Sequence, residues 1–90
     1  MTAAQRIAEL ARRRALLAVL FFATGKTKSV TSLRGDLETV HGLIASSDQV
    51  RNDLIWLREM GMADFAGDMA TINERGSDVV RGSAQLPGEG

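Results

Sequence analysis

Hydrophobic and polar residues alternate along the chain in a way that predicts four helices and one β-hairpin. In the first three helices, apolar residues recur every three or four positions and so share one face. The two strands are short runs on either side of a tight turn. The predicted elements are, in chain order, helices over Thr2–Phe22, Thr31–His41 and Ser46–Met60, strands over Met62–Phe65 and Met69–Ile72, and a short helix over Asn73–Arg81.

Local capping and turn signals support these boundaries. Ser46 and Gln49 have the spacing of a capping box at the start of the third helix. Asn73 is a residue type that caps the last helix. The sequence Ala66-Gly67-Asp68 predicts the hairpin turn, because glycine tolerates a positive φ. Val30, just before the second helix, is a candidate for one further short strand.

Three helices followed by a hairpin is the element order of a winged helix-turn-helix, a fold most often used to bind nucleic acid. The sequence therefore predicts a single domain over residues 1–82, mainly α with a small β-hairpin. Residues 83–90 contain Pro87 and two glycines and few apolar side chains. We expect them to form a flexible C-terminal tail.

The composition excludes several classes of function. The chain of 90 residues has no cysteine and a single histidine, His41, which excludes disulfides, cysteine-ligated zinc and thiol catalysis. The tripeptide Gly25-Lys26-Thr27 lacks the upstream glycine of a phosphate-binding loop. We therefore expect no enzyme activity, no metal and no other cofactor or small-molecule substrate.

The amino-terminal helix superficially resembles a signal peptide, because arginines precede an apolar run. That run, Ala15–Ala23, is much shorter than the ~20 residues that span a bilayer. Phe21 and Phe22 also stand where a cleavage site would need small residues. We interpret the run as a buried helix and predict a cytoplasmic protein without membrane contact.

Charge is distributed unevenly although the net charge is zero. Residues 1–35 hold seven Lys or Arg and one acid, a net of +6, and residues 36–90 hold four Arg and ten acids, a net of −6. Such asymmetry is typical of a surface that binds a polyanion or a second copy of the chain. The alternative is that the two halves neutralise each other in the folded protein.

The DNA-binding hypothesis assigns specific side chains to bases and to phosphates. Gln49, Arg51 and Asn52 on the third helix are residue types that bind base edges in the major groove. The predicted phosphate contacts are Ser47, Lys26, Lys28 and Arg34.

Acids on the third helix weigh against this hypothesis. Asp48, Asp53 and Glu59 give Ser46–Met60 a net charge of −1. We expect Asp53 to pair with an arginine of the first helix, which would remove it from the DNA-facing surface. The hairpin contains two acids and no Lys or Arg. It is therefore more typical of a hairpin that closes the core than of one that enters a minor groove.

Ile55 and Trp56 lie outside the apolar stripe of the third helix. One of them can pack under a neighbouring element. If both are exposed, they indicate a protein interface. They define the alternative hypothesis, a protein-interaction module that does not bind DNA, and they are the predicted contacts of a homodimer.

The third helix also carries a family resemblance. Ser47-Asp48-Gln49-Val50-Arg51-Asn52-Asp53-Leu54, followed by Trp56-Leu57 and Gly61, resembles the recognition-helix pattern of DeoR-type and ArsR-type bacterial regulators. Asn52 stands where the DeoR-type pattern has a second arginine.

Nearly the whole chain resembles the small winged-helix proteins of Mu-like phages and prophages. The similarity includes the arginine- and leucine-rich first helix, the pattern from Ser46 to Leu57, and the segment Ala70–Gly76. Asn73 stands where that family usually has threonine. The resemblance implies the winged-helix fold and a phage origin. From the fold and the basic amino-terminal half, we predict a phage-encoded DNA-binding protein that regulates transcription as a homodimer in the bacterial host cytoplasm.

Overall fold

The computed structural model describes residues 2–89, so Met1 and Gly90, the ends of the predicted domain and tail, lie outside the described residues. Those residues form four α-helices and one three-stranded antiparallel sheet. The predicted mainly helical chain with a small β element is thus confirmed. The elements are α1 (Ala3–Phe22), β1 (Thr27–Ser29), α2 (Val30–His41), α3 (Ser47–Glu59), β2 (Ala63–Ala66), β3 (Met69–Ile72) and α4 (Glu74–Arg81).

Side-chain caps begin the helices at the predicted places. At α3, the Ser46 hydroxyl accepts from the Gln49 N–H at 3.1 Å, and the Gln49 side chain accepts from the Ser46 N–H at 3.0 Å. At α4, the Asn73 side chain accepts from the Gly76 N–H at 2.9 Å. Each cap satisfies backbone donors that the first helical turn leaves without partners.

The third strand lies earlier in the chain than predicted. Val30 is the first residue of α2, because the Ser29 hydroxyl caps that helix by accepting from the Ser32 N–H. The strand is β1, which pairs antiparallel with β3, so the sheet order is β1-β3-β2. A three-residue strand defined by pairing with a distant segment has no local signal in the sequence.

The hairpin is tighter than the predicted three-residue turn. β2 and β3 are joined by Gly67 and Asp68 alone, because Ala66 still pairs with Met69. Gly67 has a φ of 58°, a conformation that glycine adopts without steric cost. β2 begins at Ala63 rather than Met62.

The hydrophobic core forms where the second half of α1 meets the other helices. Leu16, Leu17 and Leu20 are fully buried there. Leucines of α2 and α3 and the inward residues of the hairpin complete the same cluster. The apolar surface of α1 widens after Ala15, which explains why only its second half is buried.

α4 approaches the hairpin closely at Gly76. A Cβ atom at this position would lie 2.3 Å from the carbonyl oxygen of Met62 and 2.8 Å from Cγ1 of Ile72. Only glycine fits this contact, and the φ of Gly76 is not positive. The glycine is therefore required by packing rather than by turn geometry.

The segment after α4 packs on the domain. Leu86 is 1% exposed and belongs to the hydrophobic core. A Cβ atom added at Gly88 would lie 3.4 Å from Cδ2 of Leu10, which places this segment beside α1. The Glu89 carboxylate pairs with Arg14. Residues 83–89 are thus part of the packed domain rather than the separate flexible tail that their composition predicted.

None of the helices within residues 2–89 is long and apolar enough to cross a membrane.

Candidate nucleic-acid interface

The helix pair α2 and α3 carries most of the predicted DNA contacts. α2 ends at His41 and is capped by Gly42, which has a φ of 66°, and three further residues lead to the Ser46 cap of α3. One side of α3 packs into the core. Its opposite side faces solvent and carries Asp48, Asn52, Ile55 and Glu59, of which Ile55 is half-buried.

The edge of α3 nearest to α1 is held by a buried ion pair. The Asp53 carboxylate is only 1% exposed and accepts from both Arg12 and Arg13. The Arg13 Nε atom lies 3.1 Å from Asp53 Oδ1. The expected pairing of Asp53 with an arginine of the first helix is therefore confirmed, and this acid is absent from the exposed face of α3.

Arg13 also covers Trp56. Its guanidinium lies 4.1 Å from the centroid of the indole ring, a cation–π contact. Trp56 and Ile55 are both half-buried and pack against the core. The structure therefore does not expose the two residues together as an apolar patch, because α1 covers one side of the tryptophan.

The opposite edge of α3 is bonded to the hairpin. Arg51 Nη1 lies 2.6 Å from Oδ1 of Asp68, the second residue of the hairpin turn. Two turns further along the helix, Arg58 Nη1 donates to the Phe65 carbonyl at 2.9 Å. Arg51, a predicted base contact, is thus already paired with an acid, although its side chain is 40% exposed.

Arg34 and Ser47 are brought together at the start of α3. Arg34 Nε donates to the Ala45 carbonyl at 3.0 Å, and its Nη1 donates to the Ser47 hydroxyl at 3.1 Å. Both partners are neutral, and no acid within residues 2–89 pairs with this guanidinium. Its positive charge therefore stands beside the N-terminus of α3, where a helix favours anions.

The two predicted lysine contacts are placed differently from Arg34. Lys28 Nζ pairs with Asp36 of α2 and lies 3.3 Å from the Ser32 hydroxyl. Lys26 Nζ donates to the Phe21 carbonyl at 3.2 Å and lies 4.2 Å from the centroid of the Phe21 ring. Lys28 is therefore neutralised, and Lys26 is engaged with the end of α1 rather than with α3.

The two remaining predicted base contacts differ in how well they are held. The Gln49 side chain is exposed but takes part in the capping box of α3. The Asn52 side chain is exposed, and within residues 2–89 it makes no hydrogen bond to another group. Asn52 is the residue best presented to an external partner.

Ion pairs between the halves of the chain account for much of the charge asymmetry. Four of the cations in residues 1–35 pair with acids of residues 36–90. These pairs are Arg12 and Arg13 with Asp53, Arg14 with Glu89, and Lys28 with Asp36. Neutralisation of one half by the other, the alternative considered above, is therefore observed in part, and the surface is less basic than the first 35 residues suggest.

Apolar side chains elsewhere are more exposed than Ile55 and Trp56. The sequence pattern did not single out these residues as an interface, because each lies in a predicted helix or strand or in a loop. They are Ile7, Phe22, Val40, Ile44 and Met69.

Within the part of the chain that the structure describes, no cluster of three or more His, Cys, Asp or Glu side chains is arranged to hold a metal ion. Comparison of the chain with protein-family models, with curated proteins and with solved structures finds no match.

Proposed function

We propose that this chain is a winged-helix protein that binds double-stranded DNA through α3. The order α1-β1-α2-α3-β2-β3, with the sheet order β1-β3-β2, is compatible with that fold. The observation that carries the proposal is the α2–α3 pair, whose second helix has one face in solvent and a short hairpin beside it.

The side chains around α3 indicate how DNA would be held. The exposed Asn52 side chain can bind the edge of adenine or of another base, and Gln49 and Arg51 lie on either side of it. Arg34 and Ser47 stand at the start of α3 as the best-placed phosphate contacts. Lys28 becomes available only if its pair with Asp36 opens, and Lys26 no longer belongs to this set.

The charges predict modest affinity that depends strongly on salt. Asp48 and Glu59 remain on the exposed face of α3 and repel phosphate. Because neutralisation of phosphates supplies much of the affinity of DNA-binding proteins, few available cations mean weak binding. A second copy of the chain would double these contacts, and the family resemblance adds a regulatory role in a phage to the proposal.

The test is fluorescence polarisation of a labelled random duplex, titrated with protein at two salt concentrations. We expect binding at low salt that weakens as salt rises. Arg34→Ala should weaken it about fivefold and reduce the salt slope by about one, since one phosphate contact is lost. Arg75→Ala, at an exposed position of α4, is the matched control. Absence of binding at low salt by folded protein would refute the proposal.

The second candidate function is a protein-interaction module. It is favoured by one observation, the outward face of α3, where Ile55 lies between two acids, Asp48 and Glu59. Sedimentation analysis of the wild-type protein and of Ile55→Lys tests for self-association through this face. Val40→Lys, at an exposed apolar position of α2, is the control. Loss of association in the first variant alone, together with no duplex binding, would support this function.

A further inference from the structure

We propose that Asp68 is a built-in competitor for DNA phosphate, holding Arg51 of α3 in an internal ion pair and lowering the affinity for duplex DNA. This inference rests on the proposed function. It assigns a role to the hairpin turn that differs from groove insertion, because the turn supplies an anion where a DNA-binding hairpin usually supplies cations.

Three main-chain contacts hold Asp68 in place. Its carbonyl oxygen accepts from the Val30 N–H at 2.9 Å, at the start of α2. The next residue, Met69, pairs with Ser29 of β1 and with Ala66 of β2. The carboxylate is therefore carried by a turn fixed on both sides, and little conformational entropy is lost when it binds an arginine.

The pair is close enough to occupy the Arg51 guanidinium and accessible enough to exchange its partner. Arg51 Nη1 and Asp68 Oδ1 are 2.6 Å apart, a short charge-assisted contact. The side chains of Arg51 and Asp68 are 40% and 59% exposed, respectively. A phosphate offers the guanidinium the same kind of oxygen acceptor. DNA binding through Arg51 must therefore first displace the Asp68 carboxylate.

Other acids near α3 do not act in this way. Asp53 is buried and has two arginine partners from α1. Asp64 lies on the exposed face of β2, and within residues 2–89 it has no ion-pair partner. Asp64 therefore contributes only to general charge, whereas Asp68 occupies a specific cation.

The difference between Asp68 and Asp64 supplies the experiment. Polarisation titrations of the labelled random duplex at two salt concentrations are made with the wild-type protein, Asp68→Asn and Asp64→Asn. Both variants remove one negative charge from the hairpin, and both leave its backbone pairing unchanged. Asp68→Asn should raise affinity about fivefold at low salt and steepen the salt dependence by about one contact, since it releases Arg51. Asp64→Asn should raise affinity less than twofold.

A double variant identifies Arg51 as the group that is released. In an Arg51→Ala background, Asp68→Asn should gain no more affinity than Asp64→Asn does in the wild-type background. Equal gains from the two single variants, or a full gain without Arg51, would overturn the inference while leaving DNA binding intact. If neither the wild-type protein nor Asp68→Asn binds duplex at low salt, the proposed function itself fails, and this inference with it.

Discussion

Asp53 and Asp68 form ion pairs on opposite edges of α3, yet their surroundings differ sharply. Asp53 is 1% exposed and has two arginine partners on α1. Asp68 stands in a hairpin turn with a single partner, Arg51, and its side chain is 59% exposed. One edge of the helix is thus joined to the core, and the other is joined to a surface turn through water-accessible groups.

The difference shows that burial decides whether an ion pair holds the fold together or can exchange its partner. A buried carboxylate and its arginines have lost their hydration, so removing one partner leaves charges that nothing compensates. An exposed pair can exchange its partner for water, salt ions or an external anion at small cost. The edge at α1 therefore fixes the position of α3, and the ion pair at the hairpin edge can exchange its partner.

The same substitution at both acids tests this contrast. Asp53→Asn should lower the free energy of unfolding by about 3 kcal/mol, because Arg12 and Arg13 lose their shared carboxylate. Asp68→Asn should change it by no more than about 1 kcal/mol, because the pair is exposed. Urea denaturation followed by circular dichroism measures both. Similar losses in the two variants would show that burial does not separate the two edges of α3.

The same contrast between a buried and an exposed side chain can be tested with two apolar residues, Leu86 of the C-terminal segment and Ile44. Leu86→Ala should lower the free energy of unfolding by roughly 2–3 kcal/mol, since a buried leucine leaves a cavity. Ile44→Ala, at a position that is 86% exposed, should change it by no more than about 0.5 kcal/mol. Thermal and urea unfolding of both variants provide the measurement. A loss below about 1 kcal/mol for Leu86→Ala would mean that residues 83–89 contribute little to stability.

The smallest effect on stability is expected at the ion pair between Arg14 and Glu89. The Arg14 guanidinium lowers the pKa of the Glu89 carboxyl below its ordinary value. A lowered folded-state pKa stabilises the protein above the unfolded-state pKa, and this contribution disappears as the pH falls through the folded-state pKa. The stability advantage of the wild-type protein over Glu89→Gln should therefore be present at pH 7 and shrink below about pH 4.5. Urea denaturation of both proteins across this range tests it, and a pH-independent difference would contradict it.

Sequence reasoning succeeded where a feature depends on neighbours along the chain. The capping box of Ser46 and Gln49 and the cap at Asn73 each involve residues three positions apart, so their geometry follows from local backbone structure. The same holds for most of the apolar stripes that form the core, although Ile7 of α1 and Val40 of α2 are exposed. The type of partner that Asp53 has could also be predicted, because a carboxylate next to the core stripe needs a cation.

Sequence reasoning was less successful where the chain meets distant segments. β1 exists because Thr27–Ser29 pairs with Met69–Thr71, at least forty positions away in the chain. Leu86 looked like part of a loose tail because its neighbours are glycine, proline and polar residues. Its burial beside α1 depends on how the chain turns after Gly82, which has a φ of 85°.

The helices, their caps, the hairpin and most of their buried stripes can be derived from the sequence, since they follow from short-range sterics, hydrogen bonding and hydrophobic periodicity. Which charges remain unpaired depends on how the helices and the hairpin pack. This packing places Arg34 beside Ser47, pairs Arg51 with Asp68, and neutralises Lys28. Coulombic attraction depends on distance and burial, which composition does not specify, so the charges that stay unpaired at the surface are set only when the helices have packed.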